Sequence, residues 1–437
     1  MELRLLTSLA VHHRRVLKNC DVKQAFVQSS LPEHEVYYCK PPAGCQRFPP
    51  GSYWRLRRSL YGLRRAPKLW FDKLSSQLKA MGLHCSPTSP CLFTGILIED
   101  SFSNLWQVDL MGQVTHFLGL EFNWYYHPDG NLSVNLTQQS FAETLIDSVG
   151  FVSTSVSTYT SPYRSGFPVD AVPTQPMDSA DRDKLRLQYQ SLVGSLNWLA
   201  HSTCPDLSTI VSLLAQHQSC PSPGHYKAAL HVVKYLANTK TLGLHFTSNK
   251  RTILEAFLHF PVSPSLLMMS DANWGPQDAT QSKTVTELEP FVSRSMSAYY
   301  VDLYGPLHWS SKRQSITANS SAEAEIYAMN ECVKFLNELV QLFDFLQFRE
   351  TFMPGTQTVY TDNQACVNWS KRCTTKGLHH IQMKENCVRE NIASGFIEVC
   401  HVDGKTNLAD LFTKEMKDTT HFVMLHDLMM CSRNSFS

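Results

Sequence analysis

Apolar and polar positions along the chain change period several times, and each change predicts a different element. In residues 1 to about 125, short β-rich runs mix with a helix. Val36-Tyr37-Tyr38-Cys39 stops at Pro41-Pro42, and Tyr53-Trp54-Arg55-Leu56 leads into residues 66–78. There Leu69, Trp70, Leu74 and Leu78 recur at helical spacing, with Pro67 in the first turn, where its missing N–H costs nothing. Phe117 to Phe122, the turn residues Pro128-Asp129-Gly130-Asn131 and the alternating Leu132, Val134 and Leu136 predict a hairpin, with a helix from Gln138. Between 151 and 180 the period disappears: 14 of 30 residues are Ser, Thr or Pro, which predicts an extended surface connector. Helical spacing returns from Tyr189 to Phe246, through Leu192, Leu196 and Leu199 and then 225–237.

From about 262 the pattern becomes a strand over 266–271, hairpin strands over 298–309 and 314–317, and a long helix from Ser321. A strand ending just before Asp362, helices over 364–371 and 380–393, a strand over 396–399 and a final helix from Asn407 complete it. Strands and helices alternating at these lengths predict a mixed sheet with helices packed on it, so the fold class is α+β with an α/β C-terminal domain.

Composition adds bounds. A chain of 437 residues accommodates roughly three domains. The 39 Lys+Arg against 38 Asp+Glu exclude a polycationic coat, and 43% hydrophobic residues exclude a largely disordered chain. No run approaches the ~18 apolar residues of a membrane span, and Met1-Glu2-Leu3-Arg4 does not open a signal peptide. The expectation is an intracellular protein, cytoplasmic or nuclear, with no membrane partner. Of thirteen cysteines no two are closer than six positions, so no zinc spacing exists and reduced, mostly buried thiols are expected. The near-zero net charge is an average, however. Arg55, Arg57, Arg58, Arg64, Arg65, Lys68 and Lys73 face only one acid between 55 and 73, a local net +6 interleaved with Tyr61, Trp70 and Phe71. Such a segment suits a nucleic-acid backbone, or equally a set of arginines snorkelling around a partly buried helix.

The C-terminal third places acids where strands end or helices begin: Asp271, Asp362, Asp410 and, in the long helix, Glu325. At 100° per residue, Ile326, Met329, Val333, Leu336, Val340 and Phe343 form one stripe. Glu325 falls about 35° to 50° from its centre and Glu323 roughly 110° to 125° away. Glu325 therefore faces the sheet, while Glu323 is explained by a capping box with Ser320. A single such acid is ordinarily a solvated cap; four converging on one sheet end would repel each other unless they bind divalent metal, as phosphodiester hydrolysis with two metal ions requires.

The strings Ser270-Asp271-Ala272-Asn273-Trp274, Ser320-Ser321-Ala322-Glu323-Ala324-Glu325-Ile326-Tyr327-Ala328, Thr361-Asp362-Asn363-Gln364-Ala365 and Asn407-Leu408-Ala409-Asp410-Leu411-Phe412-Thr413-Lys414 resemble, in order and spacing, the ribonuclease H domain of Ty1/copia-type retrotransposon polyproteins. The resemblance implies that Asp271, Glu325, Asp362 and Asp410 are catalytic and hold two Mg²⁺ (or Mn²⁺) ions that activate water and stabilise the leaving 3′ oxygen. It implies an RNA/DNA hybrid as substrate, with RNA selected through its 2′-OH and minor-groove shape. Trp309 to Gln314 and Lys376 to Ile381 also resemble the family, which makes Lys312 and Arg313 candidate phosphate contacts. His401, nine residues before Asp410, is a candidate for proton transfer or product release.

Cys20 to Phe26, Tyr37 to Gly44, Arg58 to Trp70, Val108 to Phe122 and Tyr189 to Leu199 resemble the palm and following region of a Ty1/copia-type reverse transcriptase. The resemblance implies that Asp21 is the first metal-binding aspartate of polymerisation and that the segment Ser59 to Arg65 lines nucleotide and template. The family's Tyr-x-Asp-Asp hairpin is missing: the chain has no Asp-Asp pair, and its only adjacent acids are Glu99-Asp100. With the fingers region also absent, the polymerase half is expected to be inactive and its palm strands to lack partners. The resulting division is a partial reverse-transcriptase palm over 1–150, a connector and helical thumb/connection region over 151–260, a ribonuclease H-like domain over 262–416 and a tail over 417–437. Nucleic-acid contacts are expected at Arg55, Arg57, Arg58, Tyr61, Arg64, Arg65, Lys68, Lys312 and Arg313. Two alternatives stand beside a ribonuclease H: a non-catalytic nucleic-acid-binding relic, and a full reverse transcriptase whose gene model lost an internal segment.

Overall fold

The structure, a computed structural model, describes residues 1–45, 47–49, 51–96, 105–150, 160–163, 178–262, 266–274, 294–371, 382–416 and 418–432. It divides into two compact units, one of Met1–Leu17, Thr115–Val340 and Gln347–Ser437, the other of Lys18–Val114 and Gln341–Leu346. Glu99-Asp100, the Lys376 to Ile381 string and most of the 151–180 connector lie outside the described residues. No described helix is long and apolar enough to cross a membrane. Every described cysteine is a free thiol.

The larger unit holds two five-stranded sheets. The one that carries the acids runs in the order Pro306–Arg313, Met296–Asp302, Leu267–Asn273, Gln357–Thr361, Ile397–His401. The first three strands are antiparallel, and the last two run parallel to the central one, so the sheet is mixed and the fold α+β. Its central strand begins Leu267-Met268-Met269, all fully buried, consistent with a strand covered on both faces. The helix Ser321–Leu346 buries Ile326, Met329, Val333, Leu336 and Phe343, five of the six positions of the predicted stripe, while Val340 is half-buried; each fully buried side chain stabilises the fold by about 1.5–3 kcal/mol.

Three sequence expectations are corrected. Residues 314–317 form no strand, because Gln314 turns inward and donates from Nε2 to Ser297 Oγ at 2.8 Å and to the Ala324 carbonyl at 2.9 Å. The predicted helix from Asn407 is a 3₁₀ turn over Leu408–Phe412, followed by a separate helix, Thr419–Asp427. The helical reading up to Phe246 overran a strand, Leu242–Thr247. That strand joins the second sheet, ordered Met430–Ser432, Leu242–Thr247, Leu132–Thr137, Leu120–Tyr126, His116–Phe117 and antiparallel throughout. Residues 418–432, left as a tail by the sequence division, thus supply a helix and an edge strand. An N-terminal helix, Glu2–His12, also packs in this unit: Leu5 and Val11 are buried, and Arg4 lies over the Trp309 ring, 4.1 Å from its centroid.

The smaller unit contains the helix Ala66–Ala80 and three two-stranded pairings: Lys18–Val22 with Val108–Gln113, Tyr38–Cys39 with Trp54–Arg55, and His84–Cys85 with Phe93–Thr94.

Candidate active site

The acidic site is built from four elements of the larger unit. Asp271 is the fifth residue of the central strand and is 3% exposed. Asp362 follows the neighbouring strand Gln357–Thr361 directly, and Asn363 then caps the helix Gln364–Ser370 by accepting from the Cys366 N–H at 3.0 Å. This strand-to-helix switch turns Asp362 out at the strand end. Asp410 is 5% exposed in the 3₁₀ turn. Asn407 holds that turn, its Oδ1 accepting from the Ala409 N–H at 3.1 Å and its Nδ2 donating to the Ser270 carbonyl at 3.2 Å. Short turns carry no periodic signal, and the Asn407 amide is what ties this one to the central strand.

Carboxylate oxygens of Asp271, Asp362 and Asp410 all lie within 4.8 Å of one another. Glu325, 5% exposed on the long helix, completes the site: its carboxyl accepts from the Ala272 N–H and feels all three aspartates. Burial, and then the Asp271 charge, raises its pKa well above the ordinary glutamate value. Asp271 is likewise raised, by burial first and by Asp410 second, and Asp362 by burial and Asp271. Asp410 is raised by burial against the lowering pull of Lys414. For Lys414 burial works downward, yet Asp271, Asp410 and Asp362 together lift its ammonium above the usual value. Two buried oxygens, Glu325 Oε2 and Asp410 Oδ1, receive no hydrogen bond. A set of hard oxygen donors, crowded and partly bare, fits a divalent cation such as Mg²⁺ or Mn²⁺.

Four supporting residues were not singled out from sequence. Thr413, fully buried, donates from Oγ1 to Asp271 Oδ2 and fixes that carboxylate. Lys414 Nζ lies 2.8 Å from Asp410 Oδ2, an i, i+4 pair that the spacing alone contains. Asn407 caps the turn as described. Gly404 passes so close that a Cβ there would come 3.0 Å from Asp362 Oδ2. His401 ends the strand Ile397–His401, exposed, with Nε2 donating to the Asp362 carbonyl at 3.1 Å. Glu323 is buried as well as Glu325, at 2% exposure: its N–H donates to Ser320 Oγ, and its Oε2 accepts from the Asn319 N–H, one residue earlier than a capping box requires.

Lys312 and Arg313 end the edge strand two strands away from the central one, in register with Ser297 and Met296, which pair with Ala272 and Asn273. Two strand spacings put them about 10 Å from the central strand, at the end where Asp271 sits. Lys312 is exposed and Arg313 half-buried.

In the smaller unit Arg55, Arg57, Arg58, Arg64, Arg65 and Lys68 are all exposed. Arg65 pairs with Glu35, and Lys68 with Asp72 at 3.3 Å. Tyr61 is 59% exposed and packs its ring against Phe26. Phe48, Trp54, Arg55, Arg57, Arg58 and Leu60 line part of a cavity of about 600 Å³. Asp21 lies exposed on its two-stranded ribbon, directly opposite Asp109, whose Oδ1 pairs with Lys23 Nζ at 2.8 Å. Sequence reasoning did not bring Asp109 to Asp21, because their pairing depends on which strand follows the gap.

Residues 1–101 match the reverse transcriptase (RNA-dependent DNA polymerase) family. Over 95% of its length the chain is 26% identical to the retrovirus-related Pol polyprotein from transposon RE2 of Arabidopsis thaliana. Over 94% it is 22% identical to the corresponding polyprotein from transposon TNT 1-94 of Nicotiana tabacum. It spans 28% and 31% of the length of these two relatives. Among solved structures, the foamy viral protease-reverse transcriptase in complex with dsDNA superposes with a TM-score of 0.42 at 11% identity, covering 91% of this chain and 70% of that one. LC11-RNase H1, isolated from compost, gives 0.25 at 13% identity over 34% of this chain and 93% of its own. Along nearly its whole length the chain is similar to the Pol polyproteins of transposons, and its residues 1–101 match the reverse transcriptase family.

Proposed function

We infer that this chain hydrolyses the RNA strand of RNA/DNA hybrids at the Asp271, Glu325, Asp362 and Asp410 site, and that its polymerase centre is inactive. The observation that carries the reading is the gathering of three aspartates within 4.8 Å around bare buried oxygens, in a homologue of Pol polyproteins. The four acids would hold Mg²⁺ or Mn²⁺, which supplies Lewis-acid activation of water and stabilisation of the leaving oxygen.

The chain's own residues do the rest. Thr413 and the Ala272 N–H orient Asp271 and Glu325 so that their oxygens stay fixed without reorganisation. His401, solvent-facing beside Asp362, is placed to pass a proton between the site and water. Lys312 and Arg313 supply positive charge for phosphates at the same sheet end, and the exposed Arg55, Arg57, Arg58, Tyr61, Arg64, Arg65 and Lys68 make a sequence-independent backbone contact for hybrid or template. Discrimination would rest on the 2′-OH and minor-groove shape.

The test uses the full chain with labelled RNA/DNA hybrid, single-stranded RNA and duplex DNA in Mg²⁺ or Mn²⁺. Cleavage of the RNA in the hybrid alone is expected. Failure to cut it, or equal cleavage of duplex DNA, overturns the reading.

A further inference from the structure

Among the described residues, the acidic site carries a cation of its own. Lys414 lies four residues beyond Asp410, just past the end of the 3₁₀ turn, with Nζ 2.8 Å from Asp410 Oδ2. The lysine side chain is 41% exposed and the aspartate side chain 7%. The stem can therefore swing into water, whereas the carboxylate stays where the turn holds it. Asp410 Oδ1 and Glu325 Oε2 are buried without a hydrogen-bond donor. One face of the cluster is thus neutralised from within and another is bare.

We propose that Lys414 is a displaceable counter-cation: its ammonium covers the Asp410 Oδ2 face of the cluster, leaves when a divalent cation binds, and thereby sets the affinity of the site. The inference rests on the divalent-cation reading above. Crowded buried carboxylates destabilise the fold unless something positive stands among them. A fixed positive charge at that place would oppose a doubly charged ion by direct repulsion. Lysine meets both demands, being a strongly hydrated point charge on a flexible stem that water receives readily. An arginine would grip the carboxylate through two parallel N–H donors and leave less easily. The expected behaviour is a site that is stable without metal and binds metal only moderately, so that ions exchange between turnovers.

Two variants separate these roles, read by calorimetric titration of the full chain with Mn²⁺ in the absence of nucleic acid, and by melting with chelator or with saturating Mn²⁺. Lys414→Met should bind Mn²⁺ on the order of tenfold more tightly. It should melt below wild type in chelator and at or above it in saturating Mn²⁺. Lys414→Arg, which keeps the charge, should bind no more tightly than wild type. If Lys414→Met binds Mn²⁺ as wild type does, or more weakly, while wild type binds, the counter-cation proposal is overturned and the metal site stands. If neither wild type nor Lys414→Met binds Mn²⁺, the divalent-cation reading falls and takes the proposal with it.

Discussion

Asp271 and Asp21 each sit on a β-strand with a second carboxylate nearby, yet their surroundings are opposite. Asp271 is 3% exposed on the central strand of a five-stranded sheet, braced by Thr413 and crowded by acids from three other elements. Asp21 is exposed on a two-stranded ribbon, and its cross-strand neighbour Asp109 is already paired with Lys23. Water screens the second pair, while burial concentrates the charge of the first, so only the first creates a standing demand for a cation. Carboxylates alone do not make a metal site; a scaffold that holds them together against their repulsion does.

The sharpest way to break this contrast is substitution at each site. Asp271→Asn is expected to lower hybrid cleavage at least ~100-fold, while Asp21→Asn leaves it unchanged. Equal losses, measured as initial rates on labelled hybrid, would erase the distinction. The pH dependence of stability comes next. The raised folded-state values of Asp271, Asp362, Asp410 and Glu325 favour their protonated forms. Their contribution is therefore fully present below the unfolded values near pH 4 and is lost as pH rises through the folded values. In chelator the melting temperature should fall by about 5 °C between pH 5 and 8 from this source, and Mg²⁺ should restore most of the loss. A pH profile identical with and without Mg²⁺ would contradict the buried-cluster half of the comparison.

His401→Gln should slow cleavage by about tenfold or less, with Mn²⁺ affinity little changed, since the ring's hydrogen bond goes to the Asp362 backbone carbonyl and not to a carboxylate oxygen. The smallest effect is expected in the other unit. Replacing Arg57 and Arg58 with Ala should weaken hybrid binding several-fold and reduce its salt dependence by about two counterions, without altering single-turnover cleavage at saturating protein. A larger loss in the chemical step than in binding would assign these arginines a different role.

Much of this was legible in the sequence because the relevant signals are local. The hairpin Leu120–Tyr126 with Leu132–Thr137 announces itself through Asp129-Gly130 and the alternating leucines and valine, and Glu325 through the stripe of its helix. What was hidden depends on long-range partners. Strand Leu242–Thr247 follows the helix Pro223–Thr239 with almost no break, and only its pairing with Leu132–Thr137 and Met430–Ser432 makes it a strand. Glu323 lies off the apolar stripe and is buried by the loop it caps, which no periodicity records. Lys414 was visible as a residue of the Asp410 string, but its part in the site depends on Asp271 and Asp362, which reach it from other strands.

The short strand Met430–Ser432 has a consequence for how the molecule is made. It closes the edge of a sheet whose other members are spelled out far earlier, and Asn135 Nδ2 reaches the Cys431 carbonyl at 3.0 Å across 296 positions of sequence. On a ribosome that sheet must wait, partly open, until residues 430–432 emerge from the exit tunnel. Loop closure over such a span is slow, and the waiting strand edge can be captured by another nascent chain. The order of synthesis thus makes residues 430–432 a checkpoint for this sheet: its earlier strands stay exposed to misassembly until those residues arrive.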